Sequence, residues 1–281
     1  MVPASFEYHR PESLDAAVTL LAGLGDDARV LAGGHSLIPA MKLRLAQPTA
    51  LVDLSAIGEL RTIEERGGRL AIGAMATHGE ILASTLLAKR CPIFPAAAHH
   101  IGDTQVRNLG TIGGSLVHAD PAADWPAVIL AVDAELEVAG PAGRRTIAAK
   151  DLFVDMLQTS LRAGEILCFV HVAPTDAHVA YVKTDQKASG FALCGVAATV
   201  DRKAKRVRVG ITGVAPVAYR ATAVEQALEG GEISEESIAD AASHAADTVD
   251  ALSDIHASAD FRAHLAQVNT ARALRQALSG T

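Results

Sequence analysis

Ala32-Gly33-Gly34-His35-Ser36 and Thr111-Ile112-Gly113-Gly114-Ser115 decide how the rest of the chain is read. Each pairs adjacent glycines with a hydroxyl, and each follows or abuts a segment that reads as strand or turn. Paired glycines let backbone N–H groups turn inward and approach an anion with no Cβ in the way. The neighbouring hydroxyl adds a donor. Two such loops in one chain point to one elongated, multiply charged ligand held at two places. A dinucleotide with a pyrophosphate meets that description better than a single phosphate. Neither loop is a Gly-x-Gly-x-x-Gly fingerprint, and no Walker lysine follows the first.

Working outward, Ser13 is placed to cap a helix whose apolar face is Leu14, Ala17, Val18 and Leu21, ended by Gly23 and Gly25. Residues 28–32 and 50–54 read as short buried strands on either side of the first loop, with mixed helical spacing over 37–46. That makes a βαβ-like unit of about 55 residues. A hairpin is expected around Gly67-Gly68, a helix over 78–88 capped by Thr77, another over 92–101, and a short apolar helix over 124–131. Residues 134–139 and 144–147 suit a strand pair turned at Gly140-Pro141. A boundary falls near Val172–Ala177. Strands at 178–183, 192–200 and 207–212 follow, then helices at 221–228, 233–248 and 259–278, so the C-terminal part reads as α+β.

The chain has 281 residues, 49% hydrophobic and 4% aromatic, with a formal net charge of −7. That length holds one large domain or two modest ones. No apolar run approaches the roughly 18 residues a membrane span needs. The first residues show no basic n-region and no apolar h-region, so no signal peptide is expected. The densest basic run, Lys203 to Arg208, reads as a hairpin with a solvated face, and the acidic balance argues against nucleic acid as a partner. Cys91, Cys168 and Cys194 form no CxxC and no even framework, which disfavours disulfides and iron–sulfur ligation and makes a reducing cytoplasm the simplest setting. His35, His99, His100 and His118 match no zinc or iron spacing, so no metal is assigned.

Further residues extend both loops. Ala32 to Ser36 continues as Leu37-Ile38-Pro39 and then Lys42-Leu43-Arg44. Val106-Arg107-Asn108-Leu109-Gly110 leads into the second loop, and His118-Ala119-Asp120-Pro121-Ala122-Ala123-Asp124 follows it. With Leu161 to Leu167, Tyr181 to Phe191 and Thr212-Gly213-Val214-Ala215-Pro216, the whole chain resembles the FAD-binding medium subunit of molybdenum hydroxylases, the xanthine dehydrogenase and carbon monoxide dehydrogenase group. One segment departs from the carbon monoxide dehydrogenase pattern. Lys187-Ala188-Ser189-Gly190-Phe191-Ala192 lacks the acid of a Lys-x-Gly-Asp-Tyr-Ala run and has Phe for Tyr, so the resemblance leaves the substrate open.

The resemblance implies an α+β fold. A two-subdomain FAD-binding domain of vanillyl-alcohol-oxidase (PCMH) type would span residues 1–175, divided near 56. A C-terminal domain of the carbon monoxide dehydrogenase flavoprotein type would span 176–281. It implies that Ala32, Gly33, Gly34, His35 and Ser36, with Thr111, Gly113, Gly114 and Ser115, hold the pyrophosphate and ribityl chain, and that Leu37 and His118 also belong to the cofactor site. Asp124 would lie near the polar tail; without the resemblance, a cap for the helix that follows it is the better reading. Ile101, Leu167 and Phe191 would pack near the ring system, where a flat aromatic suits a flat ring. Lys183 or Lys187 would favour negative charge on reduced flavin. Arg107 and Asn108 could contact flavin or a partner, or Arg107 could make a structural salt bridge.

The function so implied is electron transfer. Substrate oxidation would occur at a molybdenum–pterin centre on a large subunit, and electrons would pass through [2Fe–2S] clusters on a small subunit to FAD on this chain, in a dimer of heterotrimers. The competing readings are a self-contained flavin oxidase, for which no acid–base pair stands out in the C-terminal region, and a non-redox nucleotide-binding module.

Overall fold

A computed structural model of the chain describes residues 1–279. The first unit is a parallel sheet of three short strands in the order Glu7–His9, Ala50–Asp53, Ala28–Leu31. Its middle strand, Ala-Leu-Val-Asp, is buried throughout, as expected for a parallel strand covered on both faces. Helix Leu14–Leu24 forms the crossover. Ser13 Oγ accepts from the Ala16 N–H at 3.3 Å at one end, and Gly25 stops the other.

The second unit is an antiparallel sheet ordered Ile63–Arg66, Arg69–Gly73, Ile166–Val172, Glu135–Gly140, Gly143–Ala148. The hairpin around Gly67-Gly68 is present. Its central strand, Ile166–Val172, is not among the sequence expectations, and it pairs with segments far away in the chain on both sides. The helix expected over 78–88 is two helices, His78–Ala83 and Thr85–Arg90. Ser84 interrupts them because its Oγ accepts from the Leu87 N–H at 3.2 Å and starts a new helix. Thr77 and Glu80 form a reciprocal capping box at the first of the two. Helix Thr104–Leu109, capped by Asp103, is also absent from the sequence expectations.

The third unit is an antiparallel sheet, His178–Asp185, Ala192–Asp201, Arg206–Thr212, Tyr219–Arg220, followed by helices Thr222–Leu228, Glu235–Ser243 and Ala259–Ser279. The strand period of two sorts its side chains. Ala180, Val196, Ala198, Val207 and Val209 join the core under the terminal helices. Tyr181 and Ala197 join the core of the preceding unit, against the buried helix Trp125–Ala131. The sheet sits directly on that helix: a Cβ on Gly210 would fall 2.0 Å from the Ala127 carbonyl oxygen. The Thr212 hydroxyl lies 2.8 Å from the carbonyls of both Pro121 and Ala123. Arg220 reaches the Leu130 carbonyl at 3.2 Å. The helix whose start carries Asp124 is therefore gripped along its length by the C-terminal sheet.

Candidate functional site: a cavity between the glycine segments

Strand Ala28–Leu31 runs into the first glycine loop, which ends at the short helix Leu37–Lys42. Gly33 packs so closely on the 109–110 backbone that a Cβ would fall 2.1 Å from the Leu109 carbonyl oxygen. Gly34 takes φ +72°, a conformation that favours glycine. Among the described residues, the backbone N–H groups of Gly33, Gly34, His35, Ser36 and Leu37 have no protein acceptor. Those are five donors on one short loop.

The second glycine segment differs from the loop that the sequence suggests. Thr111 caps a helix, Ile112–His118, and Gly113 and Gly114 form its first turn. Neither glycine has positive φ. The N–H groups here are spent within the chain. Ile112 donates to the Ala76 carbonyl, Gly113 to the Ala74 carbonyl at 2.8 Å, and Gly114 to Thr111 Oγ1 at 3.1 Å. The glycines serve close packing instead. A Cβ on Gly113 would meet the Ala74 carbonyl oxygen at 2.6 Å, and one on Gly114 would meet Thr111 Oγ1 at 2.9 Å and the Ala32 methyl at 3.4 Å. The two segments thus touch, but only the first presents a row of free donors.

Between them lies a cavity of about 660 Å³. It falls inside the range of roughly 300–1,000 Å³ usual for cofactor and ligand sites. Its wall includes Ala32 through Leu37, Thr111, Gly113, Gly114, Ser115, His118 and Asp124, together with Ile101, Leu167 and Phe191. Ile101 and Leu167 are buried, whereas Phe191 is 49% exposed and stands at the rim with Ser189 and Gly190.

Lys183 and Lys187 do not line the cavity. Alternation along His178–Asp185 sends Lys183 to the same side as Tyr181, behind the wall. Its Nζ lies 2.8 Å and 3.0 Å from the two Asp124 carboxylate oxygens and 3.0 Å from the His100 carbonyl. Lys187 is exposed on the turn before Phe191. Asp124 makes no capping bond, although it precedes helix Trp125–Ala131. Its carboxylate also accepts from the Tyr181 hydroxyl at 2.6 Å. Burial raises the Asp124 pKa above the ordinary carboxylate value, opposed by the Lys183 ammonium and the Tyr181 hydrogen bond. Burial, followed by the Asp124 charge, pushes the Tyr181 phenol well up. The pair is an internal brace between the two domains that touches the cavity at Asp124.

Arg107 lies outside the cavity wall and, among the described residues, makes no salt bridge. It donates to the carbonyls of Ile101 and Gly102 at 3.0 Å and 2.8 Å and fixes the turn that carries Ile101. Asn108 lies outside the wall. Residues that sequence reasoning missed include Arg29, Met75, Asp120 and Leu161, and above all His78. His78 is buried on the wall, and its Nδ1 lies 3.0 Å from Trp125 Nε1. Burial first, then coulombic repulsion from His35 and Arg107, lowers its pKa to about 4. The capping box at Thr77 is legible in sequence, but nothing local tells that the next residue faces a cavity. Among the described residues no group of three or more His, Cys, Asp and Glu is placed to hold a metal ion. No helix there is long and apolar enough to cross a membrane.

Two α+β domains that both contribute to one cavity match two known domain families in the same order. Residues 4–175 match the FAD binding domain in molybdopterin dehydrogenase, and residues 179–277 match the CO dehydrogenase flavoprotein C-terminal domain. The chain is 39% identical over 283 residues to the carbon monoxide dehydrogenase medium chain of Hydrogenophaga pseudoflava, covering 99% of this chain and 98% of that one. It is 38% identical to the nicotine 6-hydroxylase medium subunit of Paenarthrobacter nicotinovorans, with 94% of each covered. Its fold superimposes on the solved carbon monoxide dehydrogenase from Hydrogenophaga pseudoflava with a TM-score of 0.96 at 40% identity, covering 100% of this chain and 99% of that one. The chain belongs to the FAD-binding medium subunits of the carbon monoxide dehydrogenase and xanthine dehydrogenase family of molybdenum hydroxylases. Relatives named for carbon monoxide and for nicotine are equally similar to it, so similarity in this subunit does not select a substrate.

Proposed function

We propose that this chain binds one FAD non-covalently in the cavity and relays electrons within a molybdenum hydroxylase. The observation that carries the proposal is the first glycine loop, whose five free N–H groups line a cavity of the right size. A phosphate there meets fixed backbone dipoles that need no reorganisation and no metal. Ala32 to Leu37 would hold the pyrophosphate. Thr111 to Ser115 and His118 would give the cofactor close approach and the Ser115 hydroxyl, and Asp124 would border the polar tail. Ile101 and Leu167 would bury one side of the ring system, with Phe191 across its open edge. FAD supplies the ability to accept electrons singly and release them in pairs.

In this reading the electrons come from [2Fe–2S] clusters on a small subunit, and a large subunit carries the molybdenum–pterin centre that oxidises substrate. An external acceptor takes the electrons from the FAD. The assembly is a dimer of heterotrimers in the cytoplasm. The domain boundary falls at residues 175/176, with subdomains dividing near residue 56. The family match supports the role of a medium subunit in a multi-subunit molybdenum hydroxylase.

An absorbance spectrum of the purified full chain tests the proposal. Flavin bands are expected, and acid precipitation should leave the yellow colour in the supernatant. A colourless chain that takes up no FAD refutes the proposal. Colour retained in the acid pellet refutes non-covalent binding. Bleaching by an organic substrate without partner subunits would instead favour a self-contained oxidase.

A further inference from the structure

We propose that His78 is a neutral hydrogen-bond donor to the cofactor, its Nε2–H directed at a cofactor oxygen where the two glycine segments meet. The inference rests on FAD occupying the cavity. An indole N–H can only donate. The 3.0 Å contact from Trp125 Nε1 therefore makes His78 Nδ1 an acceptor and leaves the ring proton on Nε2. A protonated ring would set two donors face to face in a buried place. Coulombic repulsion from His35 and Arg107 disfavours a second proton further. The tautomer is thus fixed by a partner outside the cavity, as second-layer partners fix functional histidines elsewhere.

The ring's position leaves Nε2 something to do. His78 belongs to the cavity wall, and among the described residues Nε2 has no acceptor. Gly110 permits this placement, because a Cβ there would stand 2.8 Å from Nε2. The His78 backbone N–H, meanwhile, donates to the Gly110 carbonyl at 3.0 Å, which fixes the ring's distance from the first loop's contact at Leu109–Gly110. A neutral donor suits this wall. It can hold a phosphate or ribityl oxygen while adding no charge near a redox group.

The test uses the full chain with FAD. Selective ¹⁵N labelling of histidine should show the Nε2–H tautomer for His78, and its Nε2–H resonance should move downfield when FAD is added. His78→Phe should weaken FAD binding about tenfold, the effect of one hydrogen bond. His78→Gln, which restores an N–H near the Nε2 position, should recover most of that loss. A merely structural histidine would leave the Nε2–H signal unmoved by FAD, and that result overturns the proposal whether or not the variants fold. Equal losses in the Phe and Gln variants, or an Nδ1–H tautomer, also overturn it. A chain that binds no flavin at all removes the reading on which the proposal rests, whereas a yellow chain with an unresponsive His78 removes this proposal alone.

Discussion

Replacing Lys183 with methionine isolates the buried pair that braces the two domains. The lysine and Asp124 side chains are 3% and 7% exposed, and the ammonium sits within 3.0 Å of both carboxylate oxygens. Methionine keeps most of the stem volume and leaves the carboxylate buried with only the Tyr181 hydroxyl as a charged-state partner. Removing one member of such a pair costs about 3–5 kcal/mol. The loss depends on pH. Burial already holds the Asp124 pKa above its unfolded value, and losing the ammonium raises it further. A carboxyl whose folded pKa exceeds its unfolded value keeps a proton that the unfolded chain releases. Stability therefore falls as pH rises from about 3.9 towards the folded value. Urea unfolding of the full chain, followed by circular dichroism at about pH 5 and about pH 8, should show the larger deficit at the higher pH. Lys183→Met with Asp124→Asn should recover most of it, because no unpaired charge stays buried. A single variant within about 0.5 kcal/mol of the parent at the higher pH would refute the reasoning. So would a double variant no better than the single. A large fall in flavin midpoint potential with stability unchanged would place the lysine's charge at the flavin and count against the same geometry.

Three further outcomes are expected. Gly33→Ala puts a methyl 2.1 Å from the Leu109 carbonyl oxygen, so thermal unfolding should show a loss of about 1–3 kcal/mol together with reduced flavin content, and parental stability would contradict the close packing. His78 has a folded pKa near 4, below its ordinary value of about 6.5, so the stability it contributes is full above that ordinary value and is lost as pH falls through the window down to about 4. The depth of that acid loss is about 3 kcal/mol, and unfolding profiles of His78→Gln should be correspondingly flatter. Phe191 is 49% exposed at the rim, so Phe191→Ala should change unfolding free energy by under about 0.5 kcal/mol while raising flavin fluorescence or oxygen reactivity. Unchanged flavin properties would remove Phe191 from the ring's surroundings.

Elements specified by near neighbours are the ones legible in the sequence. Ser13 and Thr77 cap as their spacing predicts, because a cap closes over three residues. Residues 178–183, 192–200 and 207–212 read as strands, and they form three strands of the C-terminal sheet. Strand Ile166–Val172 is not read as one. It reads Ile-Leu-Cys-Phe-Val-His-Val and is buried on both sides, and what makes it a strand is its pairing with residues about 100 and 30 positions earlier. The second glycine segment shows the opposite failure. Gly113-Gly114 reads as a turn by propensity, yet the Thr111 cap and packing against Ala74 hold it in a helix.

The site divides along the same line. Residues adjoining the glycine segments are legible because the motif is local, and they do line one cavity. Lys183 is legible as a residue but not as a contact. Its partner is 59 positions away, and only the sheet's seating on helix Trp125–Ala131 decides which face of its strand meets which wall. His78 has no legible signal at all, since its state follows from Trp125, 47 positions on. Lys183 and His78 bear on the same property of the site. At Asp124 a charge is matched from behind by the C-terminal domain, and at His78 an imidazole is held neutral by an indole. The first loop adds dipoles, not ions. On these three sides the wall can bind through oriented donors while leaving the charge of a bound redox group to be set by its distance from the rim and by whatever docks there.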